Sequence, residues 1–295
     1  MLYRRILTAT GTFLMVSALA TPLAAQIRAS ERAQVWQTVD GTTIKIDYSR
    51  PRARSRNDTL FGGVVKWDEV WTPGANLATT IDVDKDIEVN GHPLPKGKYS
   101  VWMTVKQQGD WIVIFDTAAG LFHTAHPEER PGQIRFNVTP ESRPHMEVLT
   151  WSFPEVRPDG ALLVMQWGAV AVPLRIKVQP SHAITLDADL ARRYVGGYRL
   201  SMKMDSTEQV SDFTIYYEKG SLWAKWDPPL FPEWATLLLI RIADDWFINA
   251  SLENGEIYDV SDDVVFEFKM DGARAASFEV RATGDEIMAT GTRKR

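Results

Sequence analysis

The side chains with the widest chemical reach lie close together in the first third of the 295-residue sequence. Arg50, Arg54, Trp71, Asn76, Thr79 and Thr80 supply two guanidinium forks, an indole face, an amide and two hydroxyls. A guanidinium matches a carboxylate at two points, and amide and hydroxyl groups fix orientation in a cleft. These six are the candidate ligand-binding residues, for a carboxylate or a sugar. The plainer reading is scaffold. In it Gly74 supplies positive φ in a turn, Asn76 bonds the backbone, and Arg50 pairs with an acid such as Asp47.

Two further groupings carry weaker signals. His123 and His126, with Glu128, Glu129 and His145 downstream, form the one metal-like set. Histidines three apart share a face only on a helix, and Gly120, Pro127 and Pro131 argue for a solvated loop instead. They stay weak metal candidates, and no metal or cofactor is assigned. Asp82, Asp84, Asp86 and Glu88 alternate, as acid–base pairs or calcium ligands can. Without EF-hand spacing they read more simply as the polar face of one edge strand. Trp36, Trp67 and Trp71 lie in loop-like segments and could stack on sugar rings. Trp102, Trp111, Trp151 and Trp167 lie in strand-like segments and read as core. No Gly-x-Ser-x-Gly, P-loop, Gly-x-Gly-x-x-Gly or His-Glu-x-x-His pattern occurs, so no catalytic residue is assigned.

The elements that must position these residues are strands. Ile44, Ile46 and Tyr48 alternate with Lys45 and Asp47, and Tyr99, Val101, Met103 and Val105 repeat the period of two. Asn90-Gly91 predicts a tight hairpin, because both central residues of a type I′ turn take positive φ. Trp111 to Phe115 is apolar on both faces, as a central strand is. Ile134–Val138 and Leu149–Phe153 continue the pattern, and residues 161–178 read as two strands joined near Gly168 and Pro173. The expected solution is an antiparallel β-sandwich over residues 26–180. Beyond a boundary at Gln179-Pro180-Ser181-His182, Asp187 caps a short helix within Leu186–Tyr194. Eight short strands then predict a small up-and-down barrel or meander over 181–295.

Composition narrows the function classes. Cys is absent, which excludes disulfides, thiol chemistry, iron–sulfur clusters and Cys-ligated zinc. Residues 26–180 hold 18 basic and 18 acidic side chains, and residues 181–295 hold 13 and 20. Neither half has the basic face that nucleic acid needs. Met1 to Ala25 reads as a signal peptide: Arg4-Arg5, an apolar run from Ile6 to Ala20, and small residues for a cut after Ala24 or Ala25. The expected location is therefore periplasmic or secreted, with no transmembrane segment after signal cleavage.

Residues 44–178 resemble a bacterial family known as domain of unknown function 2911. The residues that carry the resemblance are Ile46-Asp47-Tyr48-Ser49-Arg50-Pro51, the run from Val70 through Trp71 and Asn76 to Ile81, Asn90-Gly91, Leu94 to Ser100, and Asp110-Trp111. Thr72-Pro73 stands where that family more commonly has Arg-Thr, so no role of that Arg transfers. The resemblance implies an exported β-sandwich-like domain and no reaction. A second, shorter resemblance rests on Tyr194-Val195-Gly196-Gly197-Tyr198, Gly220-Ser221-Leu222, Val264–Phe268 and Ser277-Phe278. These are similar to a lipocalin-like, non-catalytic module that follows β-lactamase-type serine hydrolase domains; no Ser-x-x-Lys domain precedes it here. The expectation is an exported non-catalytic β protein that binds a small molecule, glycan or cell-envelope partner. The alternative is an exported hydrolase built around Arg50, Asn76 and nearby carboxylates.

Overall fold

A computed structural model describes residues 29–56, 59–204, 207–229, 232–282 and 286–295. The signal-peptide reading of residues 1–25 lies outside these. The described chain is all-β, with a sandwich of two antiparallel sheets followed by a closed barrel.

The larger sheet runs β1 (Glu31–Val39), β2 (Thr42–Arg50), β4 (Thr80–Val83), β7 (Gly97–Thr104), β8 (Trp111–Asp116) and β9 (Ile134–Val138). The two-residue β3 (Val70–Trp71) pairs with the end of β7 that β4 leaves free. The smaller sheet is ordered β10 (Glu141–Arg157), β11 (Gly160–Val178), β5 (Ile87–Val89) and β6 (His92–Leu94). Side chains alternate across a strand, so each strand gives one set to the core. Ile44, Ile46, Val101, Met103 and Phe115 come from the larger sheet, and Leu149, Leu163, Met165 and Leu174 from the smaller one. All are essentially inaccessible to solvent. Asn90 and Gly91 take φ of 49° and 78° and turn β5 into β6, as the dipeptide predicts.

Three expectations are corrected. Residues 160–178 form one strand, not two. Gly168, at φ 58°, sits between two register shifts whose extra residues bulge from β10, and Pro173 lies between the part of β11 paired with β10 and the part paired with β5, where no ladder N–H is required. The acids Asp82, Asp84, Asp86 and Glu88 do not share a strand. Asp82 is on β4, Glu88 is on β5 in the other sheet, and the chain crosses between sheets through Asp84 and Asp86. Those two accept from backbone N–H groups, Asp84 from Thr43 at 2.8 Å and Asp86 from Lys96 at 2.7 Å. Trp36 is not in a loop: it lies on β1, an edge strand that pairs along its whole length with β2.

The barrel runs β12 (Gly196–Met204), β13 (Thr207–Glu218), β14 (Ser221–Asp227), β15 (Thr236–Ala243), β16 (Trp246–Glu253), β17 (Glu256–Asp271), β18 (Arg274–Ala282) and β19 (Ile287–Arg293), and β19 closes it onto β12. Aromatic rings fill its interior. Phe213, Phe266 and Phe268 surround Phe278 with centroids 5.3 to 5.8 Å away. Gly291 pairs directly with Phe278, whose ring would lie 2.2 Å from an added Cβ. The helix α1 (Ala188–Ala191), capped by Asp187 as expected, leads into Tyr194 at one end. The Tyr194 hydroxyl donates to Asp245 at 2.6 Å. Burial, then that carboxylate, pushes the Tyr194 phenol up to about 12. Arg293 donates to Tyr198 and to the carbonyls of Val195 and Ala275, closing the same end.

Candidate functional site

The outward face of the larger sheet is polar over β1, β2 and β4, and that part carries the site. Register sets its side chains in cross-strand rows. Gln34, Asp47 and Thr80 form one row across β1, β2 and β4, and Arg32 stands opposite Ser49 in the row beside it. On the other side, Trp36, Lys45, Asp82 and Lys98 form a row through β7. Arg32, Asp47, Ser49 and Thr80 of the first two rows, with Lys98 from the end of the third, line a cleft of about 430 Å³ together with Asn76.

Its polar groups are fixed in advance. Arg32 holds Asp47 with both a 2.7 Å contact from Nε and a second from Nη2, and Gln34 donates to the same carboxylate at 2.8 Å. The Arg32 guanidinium, with help from Gln34 and the charge of Lys98, holds the Asp47 carboxyl below the ordinary range against the upward pull of burial. Asp47 is thus an anion at neutral pH, an acceptor rather than a proton donor. Asn76, in the left-handed region at φ 63°, donates to Ser49 Oγ at 3.2 Å and to the Ser30 carbonyl at 3.1 Å. Asparagine tolerates that conformation better than most residues.

The remainder of this face is roofed by the segment 117–133. Its anchor is Asp116, essentially buried, which accepts from Arg130, from Gln133 at 2.8 Å and from the Ala118 N–H at 2.7 Å. Burial pulls the Asp116 carboxyl upward, but these donors outweigh it and hold it below the ordinary range. Under the roof lie Trp102 and Ile114, apolar side chains on the outward face of the sheet. This explains why Trp111 to Phe115 is apolar on both faces. Two backbone bonds stitch the roof to the cleft wall, Ala78 N–H to the Leu121 carbonyl and His123 N–H to the Asn76 carbonyl, each 2.8 Å.

Of the six candidate residues, the cleft gathers Asn76 and Thr80. Arg50 lies on the opposite face of β2, alternating with Tyr48, and donates to Thr150 Oγ1 at 2.9 Å and to the Leu149 carbonyl, so it ties the two sheets together. It does not pair with Asp47, which Arg32 occupies. Arg54 is exposed at φ 54°, its N–H bound to Glu147. Thr79 is fully buried and donates to the Pro73 carbonyl at 2.8 Å. Gly74 does not supply positive φ; a Cβ there would sit 2.6 Å from Thr79 Oγ1, so glycine is required by space. Trp71 stacks on Trp167 with centroids 6.0 Å apart and lines a second cleft, of about 590 Å³, which also holds His123 and His126. Among the described residues no group of three or more His, Asp or Glu is arranged to hold a metal ion. Arg32, Asp47, Ser49 and Lys98 are cleft residues the sequence reading did not select. The signal for the first three is the polar half of the β1 and β2 alternation; Lys98 stands at the start of β7, opposite Asp82.

Fold and site together define an all-β chain in which a sandwich with an open polar cleft precedes an aromatic-filled barrel. Residues 30–176 match the family described as Protein of unknown function (DUF2911), and through this region the chain belongs to that family. The match begins at residue 30, so β1 and its cleft residue Arg32 are part of the family domain. No curated protein and no solved structure matches the chain. Thr72 is fully buried and donates to the Val101 carbonyl at 2.8 Å, a scaffold contact.

Proposed function

We propose that the chain is an exported, non-catalytic binding protein whose sandwich holds a small polyhydroxylated molecule, such as a sugar, in the cleft between Arg32, Asp47, Asn76 and Lys98. The observation that carries this is the prearranged set of donors and acceptors around Asp47. A polyol offers both donors and acceptors from each hydroxyl, and such a site can satisfy both without reorganising. The hydrolase alternative gains no support from the geometry, because Arg50 lies on the face of β2 turned away from the cleft that Asn76 lines. Export rests on the reading of Met1 to Ala25, and it places the cleft in the periplasm or outside the cell.

A thermal-shift screen of the purified chain against sugars, short peptides and metal ions tests the binding role. The expected result is a rise in melting temperature with a sugar that Lys98→Ala reduces. A rise only with metal ions or peptides contradicts it. Sequencing of the chain recovered from the cell exterior or periplasm should begin at Ala25 or Gln26.

A further inference from the structure

The cleft does not end the polar face. One row beyond Gln34 and Asp47 stand Trp36 and Lys45, followed across the sheet by Asp82 and Lys98. Trp36 is 64% exposed on the edge strand, the most exposed tryptophan among the described residues. Its neighbours Ala33 and Val35 pack against the core, so the alternation of β1 turns the indole to the same side as Arg32 and Gln34. Two residues of strand separate the rows, about 7 Å at the usual rise. Trp36 belongs to none of the hydrophobic clusters formed by the described residues. Standing in line with polar side chains of both signs, it offers an apolar face bordered by hydrogen-bonding groups.

We infer that Trp36 is a second subsite, and that the occupant of this face is an oligosaccharide lying along β1 and β2 rather than a single sugar. The first ring takes hydrogen bonds from the cleft. The next stacks its C–H face on Trp36 and meets Lys45 and Asp82 with its hydroxyls. The inference rests on the proposed sugar-binding role of the cleft and adds the length of the ligand to it.

The test has two stages. The purified chain is applied to an array of monosaccharides and hexasaccharides of neutral and uronic acid sugars. The hexasaccharide that binds and its own monosaccharide are then titrated calorimetrically against the chain, Trp36→Ala and Trp36→Phe. The hexasaccharide should bind the parent chain about tenfold more tightly than the monosaccharide. Trp36→Ala should erase that advantage and leave monosaccharide affinity unchanged, and Trp36→Phe should keep part of it. Because the side chain is exposed, the melting temperature should stay the same. Equal hexasaccharide affinity in Trp36→Ala and the parent chain overturns the inference and leaves the cleft reading standing. Failure of every array member to bind removes the cleft reading, and this inference with it. A dimer that dissociates on Trp36→Ala also overturns the inference, assigning the indole to contact between copies.

Discussion

At the residue scale, two aspartates on the same sheet do different work because their partners differ. Asp47 is partly open to the cleft, and its donors leave it a charged acceptor facing solvent. Asp116 is closed off, and its donors come from the segment it anchors. Removing the Asp116 carboxylate would take the acceptor from the Ala118 N–H and from Arg130, leave Gln133 only its bond to the Glu128 carbonyl as a donor, and release the roof over Trp102. Asp116→Ala should therefore cost about 1–3 kcal/mol in chemical denaturation, the range for unpairing buried polar groups. The same contact sets a pH dependence. The folded carboxyl is held below its unfolded value of about 3.9, so its contribution is complete above that pH and is lost as pH falls through the folded value. Acid unfolding of Asp116→Ala should accordingly be shallower than that of the parent chain below about pH 4.

At the element scale, the strands that could be read from sequence were those whose pattern is purely local. Asn90-Gly91, the Asp187 cap and the eight barrel strands each announce themselves within a few residues. What could not be read depended on partners far away in the chain. β1 mixes Trp36 with Arg32, Gln34 and Thr38 on one side, and Glu31 and Gln37 with Ala33, Val35 and Val39 on the other, so its strand character comes from pairing with β2. Gly168 and Pro173 look like breaks, yet the partners change on either side of Pro173 and the strand continues. The cleft was half legible for the same reason. Asn76 and Thr80 stood out by type, whereas Arg32, Asp47 and Lys98 meet only through the β1–β2–β4–β7 register. In the barrel, Gly291 exists to admit the Phe278 ring across the β18–β19 pair. Gly291→Ala should destabilise the barrel by about 1–3 kcal/mol, as overpacking does. Urea unfolding followed by barrel tryptophan fluorescence checks this.

At the scale of the whole molecule, the sandwich core draws on residues 39–178 and the barrel core on residues 191–289, with no residue in common. The linking segment is exposed from Pro180 to Ser181, where Ser181 N–H donates to Asp40 at 2.6 Å. Two cores joined by such a link predict two separable folding units. Limited proteolysis should cut first between residues 180 and 187 and leave two resistant fragments; a first cut inside either core would contradict that division. The acidic balance lies in the barrel half, while the sandwich is neutral overall. The barrel interior is filled, with Phe278 ringed by aromatic neighbours.

The most direct test is an amide chemical-shift map of the chain titrated with the sugar that scores highest in binding. The largest changes should fall at Arg32, Asp47 to Ser49, Asn76 to Thr80 and Lys98. Changes concentrated in β12 to β19, or spread without preference for the outward face of β1 and β2, would contradict the assignment of this cleft as the binding site.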